Sequence, residues 1–355
     1  MRYVKLSAFT AFCLAFFALS AFTPGLLAQT ETSSTSTPTV AVSEAVMQKH
    51  VRSVTVQVQV FLDKWTRSIT WYQEVTATGE KGEWKPRYGE WSKEPERIVV
   101  QGTGVIVYSR YDPEFGDVAG TYILTNAHVV EYLVTKTALG SRYDPIDVYD
   151  EKDLIINTFP PSVSVKPEAR PVAQMYFTLP SNYACIKYTE EQFFTIYAKV
   201  VDFDKALDVA LLQICDPQGK PARVWGLPYV TFRESPCMVG EEVWVCAAPL
   251  GIPFSIDKGR INQVRLDLGE SGGITWNKQV KLDVAAAPGS SGAGVFDKNG
   301  YLIACLHGVL VYQGNYIRGG QLAIEGTIIR EWLMWRGWAF IVTAPPYVGA
   351  PYYKP

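Results

Sequence analysis

The chain has 355 residues, of which 48% are hydrophobic and 19% are charged, and its formal net charge is −2. This composition is that of a globular protein with enough apolar residues to build a core. A slightly acidic charge argues against nucleic-acid binding, which requires a basic face. Histidines and cysteines do not occur at zinc-ligand spacing, so we predict neither a metal nor a cofactor.

The N-terminal segment has the pattern of a secretory signal. Arg2 and Lys5 form a positive start, residues 6–22 are uncharged and rich in Phe, Leu and Ala, and Ala28 offers a cleavage site. We therefore predict a signal peptide at 1–28. The alternative is an uncleaved N-terminal membrane anchor, for which the apolar run is of marginal length. Either interpretation puts the remaining chain outside the cytoplasm, in a secreted or periplasmic location.

The segment after the signal is a predicted linker that leads into a helix and a strand. Residues 29–42 are mostly Ser, Thr and Pro, a composition that predicts disorder. Residues 43–51 predict a short helix with His50 on its surface. Valines at positions 54, 56, 58 and 60 alternate with polar residues, which predicts a strand buried on one face.

Residues 63–97 contain four tryptophans among charged residues, and this pattern predicts a long hairpin inserted between the first two strands. The tryptophans are Trp65, Trp71, Trp84 and Trp91. Two interpretations remain open. They pack on the wall of the barrel, or they form an exposed aromatic surface for a partner or for another copy of the chain.

Three segments far apart in the sequence carry the residues of one kind of chemistry. Ser291 lies in a turn between Gly289 and Gly292, where glycine permits a tight backbone. A serine hydroxyl becomes a nucleophile only when a base takes its proton, and His128 can supply that base. Asp208, which precedes an apolar run, can orient the imidazole. We predict that these three are catalytic and that the backbone N–H groups of Gly289 and Ser291 form an oxyanion hole.

These segments resemble the motifs of a known family. TNAHVV (residues 125–130), DVALLQI (208–214) and PGSSGAGVF (288–296) look like the signature segments of chymotrypsin-fold, or trypsin-like, serine proteases, most closely the HtrA/Deg-like bacterial branch. The resemblance covers roughly residues 44–336, with large insertions. It implies an all-β fold of two antiparallel Greek-key β-barrels, with the active site between them and a C-terminal helix.

The resemblance also suggests the domain limits. We expect the first barrel at 43–220, the second barrel with its closing helix at 221–340, and a Pro- and Tyr-rich tail at 341–355 that is too short for a PDZ domain. Residues 327–336 predict the helix, with Trp332 and Trp335 on one broad apolar face and Gly337 as its stop. The stretch between His128 and Asp208 is a second long insertion, which could act as a lid or shape the choice of substrate.

The resemblance implies a specificity pocket with Ala285 at its base and His307 on its wall. A histidine there suggests a preference for Glu or Gln before the cut, since an imidazole can donate to a carboxylate or an amide. The alternative is a preference for small apolar residues, with His307 satisfied inside the barrel. In the digestive branch of this family, the residue before the nucleophile is an Asp that forms an ion pair with a freed N-terminus. Here that residue is Ser290, which cannot form such an ion pair. Activation by clipping is therefore not expected.

The cysteines that follow the signal are odd in number, so at least one thiol is unpaired or bonded to another chain. Cys246 and Cys305 both fall in the predicted second barrel and could pair.

The sequence as a whole predicts an extracytoplasmic serine endopeptidase that acts on protein or peptide substrates through an acyl-enzyme. The alternative is a catalytically silent binding protein on a protease scaffold, with the tryptophan hairpin or the long insertion as its working surface.

Overall fold

The computed structural model describes residues 43–112, 118–135, 145–158, 161–188, 194–222, 226–252, 254–271, 274–275, 277–312 and 315–347. The predicted signal peptide, the linker and the end of the Pro- and Tyr-rich tail lie outside these residues. Within them, every helix is too short or too polar to cross a lipid bilayer.

The described residues form mainly strands. The strands are β1 Thr55–Val75, β2 Lys81–Tyr88, β3 Glu96–Asp112, β4 Val118–Thr125, β5 Ile146–Val148, β6 Leu154–Thr158, β7 Pro161–Val165, β8 Ala173–Thr178, β9 Ala184–Tyr188, β10 Phe194–Asp204, β11 Val209–Cys215, β12 Glu242–Ala247, β13 Ser255–Leu266, β14 Glu270–Ser271, β15 Ile274–Thr275, β16 Gln279–Asp283, β17 Gly294–Asp297, β18 Leu302–Tyr312 and β19 Asn315–Glu325. The α-helices are α1 Glu44–Ser53, α2 Ala127–Thr135, α3 Gly326–Trp335 and α4 Ala339–Thr343.

The strands close into two antiparallel barrels that have the same connectivity. The first ring runs β1-β3-β4-β11-β10-β9 and closes because β1 pairs with both β3 and β9. The second ring runs β12-β13-β16-β19-β18-β17. In each ring the last three strands along the chain return in reverse order, which is Greek-key topology. The predicted all-β fold of two such barrels with a C-terminal helix is therefore confirmed.

Strand β1 is buried on both faces in its first half, although the alternating pattern predicts burial on one. Val56, Val58 and Val60 point into the first barrel with no exposed surface, but Gln57 and Gln59 are buried as well. The second face is covered because the second barrel packs there: the Gln57 side-chain amide donates to the carbonyl of Gly251, at 3.3 Å. The prediction of a half-buried strand was wrong because this cover comes from a distant part of the chain.

Helix α1 fastens the N-terminal end of the first barrel to the second. His50 lies on the inner side of α1, where its Nε2 is 2.9 Å from the carbonyl oxygen of Gly300. Its ring meets the buried ring of Phe296 edge to face, with centroids 6.0 Å apart. The prediction of a surface histidine was therefore wrong. Burial lowers the pKa of His50 to about 4, because the charged imidazolium loses its hydration.

The predicted tryptophan hairpin is formed by β1 and β2, and the second insertion packs against it. The ring of Trp65 stacks on Tyr176 of β8 at 5.9 Å, and Trp91 meets the same tyrosine edge to face at 4.6 Å. The guanidinium of Arg170 lies 4.3 Å from the centroid of Trp84. The tryptophans thus pack on the long insertion, which extends the first sheet through β8 and β5.

The C-terminal helices pack against both barrels, with α3 on β18 and β19 of the second and α4 on the first. Helix α3 buries Ile329, Trp332 and Leu333, whereas Trp335 is 82% exposed, so the predicted apolar face is narrower than expected. Gly337 follows the helix with a φ of +89°, as expected for a glycine stop. Phe340 of α4 then packs against Tyr108, with ring centroids 4.9 Å apart.

Candidate active site

Asp208 lies in the turn before β11, with its carboxylate buried in the interface between the barrels. Its φ is +60°, a left-handed conformation that Asp adopts more readily than most residues. The backbone N–H of His128 donates to Oδ1 at 2.9 Å. The backbone carbonyl of Asp208 accepts the side-chain amide of Asn126 at 3.0 Å. The aspartate is thus held at both its main chain and its carboxylate.

His128 stands in the first turn of α2 and faces that carboxylate. Its Nδ1 is 2.8 Å from Oδ2 and 3.0 Å from Oδ1 of Asp208. An ionised carboxylate only accepts hydrogen bonds, so Nδ1 carries the hydrogen and Nε2 keeps its lone pair in the neutral ring. Burial alone would lower the pKa of His128, but the charge and hydrogen bond of Asp208 raise the pKa above its ordinary value.

The carboxylate of Asp208 stays ionised although it is almost fully buried. Burial alone would raise the pKa of Asp208, but the charge and hydrogen bond of His128, followed by those of His307, hold it well below its usual range. The imidazole of His128, whether neutral or protonated, therefore lies beside the permanent negative charge of Asp208.

The Ser291 turn is fastened to β3 of the first barrel. The Thr103 N–H donates to the Ser291 carbonyl at 2.7 Å, and the Thr103 hydroxyl donates to the Gly289 carbonyl at 2.7 Å. A Cβ on Gly102 would lie 2.6 Å from the Val129 side chain and 3.1 Å from the Ser291 carbonyl oxygen. The turn therefore lies next to the first residues of α2, which carry His128.

The turn leaves two main-chain N–H groups available. Gly289 has a φ of +94° and Gly292 a φ of +88°. The N–H of Ser290 donates to the Ala287 carbonyl at 2.9 Å, and that of Gly292 donates to Leu306 at 2.8 Å. In the part of the chain that the structure describes, the N–H groups of Gly289 and Ser291 donate to no main-chain carbonyl. These are the two groups predicted to bind an oxyanion.

His307 and Ala285 lie differently from the pocket predicted for them. The His307 side chain has no exposed surface, and its Nδ1 is 3.3 Å from Oδ2 of Asp208. Its Nε2 is 2.5 Å from the side-chain oxygen of Gln279. Ala285 is exposed, and its N–H donates to the carboxylate of Asp257. The imidazole of His307 therefore faces the buried aspartate and has no surface open to solvent.

An exposed apolar surface lies beside the Ser291 turn. The 3₁₀ turn Pro249–Gly251 follows β12, and the N–H of Leu250 donates to the Pro288 carbonyl at 2.6 Å. Leu250 and Ile252 are each 66% exposed. Apolar side chains that stay in water next to a reactive group are candidates for contact with a bound chain.

The cysteines near the site are buried thiols. All five cysteines of the described residues are free, so the possible Cys246–Cys305 bridge is not formed. Burial raises the pKa of Cys246 to about 12. Burial, and then the charge of Asp208, raise the pKa of Cys305. Neither thiol is set up as a nucleophile, because the reactive form is the thiolate.

Sequence reasoning missed two residues of this site. In the sequence, Thr103 is only the middle residue of a Gly-Thr-Gly segment. Its role depends on two hydrogen bonds to the Ser291 turn, which join the first barrel to the second. Gln279 carries no local signal, since a glutamine at the start of a strand is common on surfaces. His307 was predicted on a strand that walls the specificity pocket, and it lies on β18, but the direction of its side chain was not predicted.

Comparison with known proteins places the chain among peptidases. The family model described as trypsin-like peptidase domain matches residues 102–304. Protease Do-like 1, a chloroplastic protein of Arabidopsis thaliana, is 31% identical over 110 residues, which cover 31% of this chain and 24% of that protein. A probable periplasmic serine endoprotease, DegP-like, of Pseudomonas putida (strain W619) is 28% identical over 152 residues, covering 39% of this chain and 29% of that protein. The chain therefore spans less than a third of these curated relatives.

Solved structures with a similar course of the backbone include an HtrA-type protease and Deg5. The HtrA-type protease AlgW with decapeptide has a TM-score of 0.48 and 16% identity, covering 86% of this chain and 69% of that one. Deg5 has a TM-score of 0.44 and 15% identity, covering 82% of this chain and 94% of that one.

Proposed function

Because the chain belongs to the trypsin-like peptidase family, we propose that it is an extracytoplasmic serine endopeptidase that uses Ser291, His128 and Asp208. The observation that carries the proposal is the buried contact between His128 and Asp208, at 2.8 Å, beside the Ser291 turn. A base oriented by a carboxylate next to an accessible serine is the arrangement that nucleophilic acyl transfer requires.

The reaction follows from these groups. Ser291 Oγ attacks the carbonyl carbon of the peptide bond while Nε2 of His128 accepts the hydroxyl proton. The C–N bond then breaks, and His128 returns the proton to the leaving amine, so an ester remains on Ser291. Water, deprotonated by the same imidazole, attacks the ester; the bond to Ser291 Oγ then breaks, the acid leaves, and His128 returns the proton to Oγ. Asp208 keeps the hydrogen on Nδ1 and stabilises the imidazolium.

The oxyanion of each tetrahedral intermediate is assigned to the N–H groups of Gly289 and Ser291. Both lie on a turn whose glycines have positive φ, and neither donates to another main-chain carbonyl among the described residues. A donor of this kind lowers the barrier by roughly 3–4 kcal/mol in comparable sites.

For the residue before the cut, we favour a small apolar side chain. The residues at 285–287, which precede the Ser291 turn, are three alanines without a hydrogen-bonding side chain, and the buried His307 offers nothing to a Glu or Gln of the substrate. The exposed side chains of Leu250 and Ile252 supply further apolar contact beside the turn. A library experiment separates this preference from the Glu or Gln preference.

The extracytoplasmic location is supported by the signal-like residues 1–28, and one relative is described as periplasmic. The substrate is accordingly a protein or peptide met outside the cytoplasm. An N-terminal membrane tether remains the alternative to a cleaved signal.

The decisive experiment compares the chain lacking residues 1–42 with its Ser291→Ala variant. Each is incubated with an unbiased peptide library, and separately with an organophosphorus fluoride, which forms an O–P bond with an activated serine and loses fluoride. We expect cleavage and labelling only when Ser291 is present, with Ala, Val or similar residues before the cut. Absence of both in the unmodified chain would refute the protease proposal and favour a silent binding protein.

A further inference from the structure

A second histidine contacts the same carboxylate as His128. Oδ2 of Asp208 lies 2.8 Å from Nδ1 of His128 and 3.3 Å from Nδ1 of His307. Because the carboxylate only accepts hydrogen bonds, the Nδ1 atoms of both rings carry a hydrogen and donate to it. Asp208 therefore receives three donors, which include the His128 main-chain N–H.

The ring of His307 is fixed from its other side. The side-chain oxygen of Gln279, at the start of β16, accepts a hydrogen bond from Nε2 of His307, and the amide nitrogen of Gln279 donates to the Asn277 carbonyl at 3.1 Å. The amide is thereby oriented by its own turn. Since the His307 side chain has no exposed surface, water cannot replace either partner.

We propose that His307 is a positioning residue that acts through Asp208, holding the carboxylate in the plane that orients His128. This inference rests on the proposed function and deepens it. It differs from a pocket role, because the group that His307 contacts is the aspartate and not the substrate.

The contact has a consequence for the geometry of the whole site. Asp208 and His128 belong to the first barrel, whereas His307 and Ser291 belong to the second, on β18 and on the turn before β17. The Asp208–His307 bond therefore couples the orientation of the base to the barrel that carries the nucleophile. A carboxylate held by His128 alone could rotate with the first barrel, whereas the bond to His307 keeps it aligned with Ser291.

The test uses three variants at this site. His307→Leu removes both ring bonds. His307→Asn keeps a donor, because the asparagine amide nitrogen branches from Cγ as Nδ1 does. Gln279→Leu leaves His307 in place but removes the partner of Nε2. For His307→Leu we expect kcat to fall roughly 10- to 100-fold with KM within about twofold, as for loss of one bond to a buried charge.

His307→Asn should recover most of the lost rate, and Gln279→Leu should show an intermediate loss. The rate of labelling by the organophosphorus fluoride should fall in the same order, because that reagent needs an activated Ser291 but no peptide contacts. Equal losses in His307→Leu and His307→Asn, or an unchanged kcat in His307→Leu, would overturn the proposal.

A spectroscopic measurement keeps the inference separate from the function proposed above. The chain has three histidines, so selective ¹⁵N labelling gives few imidazole signals, and His50→Gln serves to assign one of them as a control distant from the site. We expect the Nδ1–H signal of His128 to shift or exchange faster in His307→Leu and to return in His307→Asn. An unmoved signal would refute positioning by His307, even if the chain cleaved no peptide at all.

Discussion

The buried His50 predicts a specific dependence of stability on pH. In the folded protein the imidazole is 3% exposed and its pKa is lowered to about 4, against the ordinary value of 6.5 that it regains on unfolding. Between these two values the unfolded chain binds a proton that the folded chain does not. The contribution of neutral His50 to the free energy of unfolding is therefore fully present above pH 6.5 and is lost as the pH falls toward 4.

The size of the effect follows from the two values. Linkage gives a loss of about 2 kcal/mol in the free energy of unfolding between pH 8 and pH 5, and about 3 kcal/mol by pH 4. His50→Gln removes this titration and keeps a side-chain donor for the Gly300 carbonyl, which His50 contacts through Nε2. Other titrating groups remain the same in both proteins, so the difference between them isolates His50.

The assay is denaturant unfolding of the two proteins at pH 8 and pH 5 in the same salt. We expect the unmodified chain to lose about 2 kcal/mol more than His50→Gln over this interval. Parallel losses in the two proteins would refute the assignment of His50 as a buried neutral histidine. A larger loss in the variant would reverse the sign of the argument and refute it as well.

Two further predictions concern backbone and thiols. Gly292→Ala should reduce peptide cleavage at least roughly 100-fold, because a Cβ there would lie 2.0 Å from the Thr103 carbonyl oxygen. The matched control Gly337→Ala has nearly the same positive φ but open space around it, and should lose only about 1 kcal/mol of stability with unchanged cleavage. In the native protein a thiol reagent should modify Cys185 first, since the other four cysteines are buried, and mass spectrometry of the labelled peptides would contradict this if Cys305 reacted as fast.

The parts of the fold that depend on local pattern were predictable from sequence. The side chain of Ser43 accepts a hydrogen bond from the N–H of Val46 and caps the start of α1. Gly337 follows the end of α3 with a positive φ, as a helix-stopping glycine does. The valines of β1 face the core as their alternation indicated. Each of these outcomes is decided by a few neighbouring residues.

The features that sequence reasoning missed are decided by contacts between distant segments. Gln57 is polar and alternates with valine, which predicts an exposed face, yet the second barrel covers it. His50 looks like a surface residue because its helix is short and polar, but its partners are Gly300 and Phe296. The direction of His307 depends on how far β18 is rotated against the first barrel, and no local pattern encodes that rotation.

The site is best understood as a property of the interface between the two barrels. The first barrel supplies His128, Asp208 and the strand residue Thr103, and the second supplies the Ser291 turn and His307. Thr103 makes two bonds of 2.7 Å to that turn, and the Asp208–His307 bond crosses the same interface. A shift of either barrel would therefore disturb the nucleophile and the base together. Because catalysis depends on such distances to within about 1 Å, substitutions that alter the packing of β3 against the turn should affect kcat before they unfold the protein.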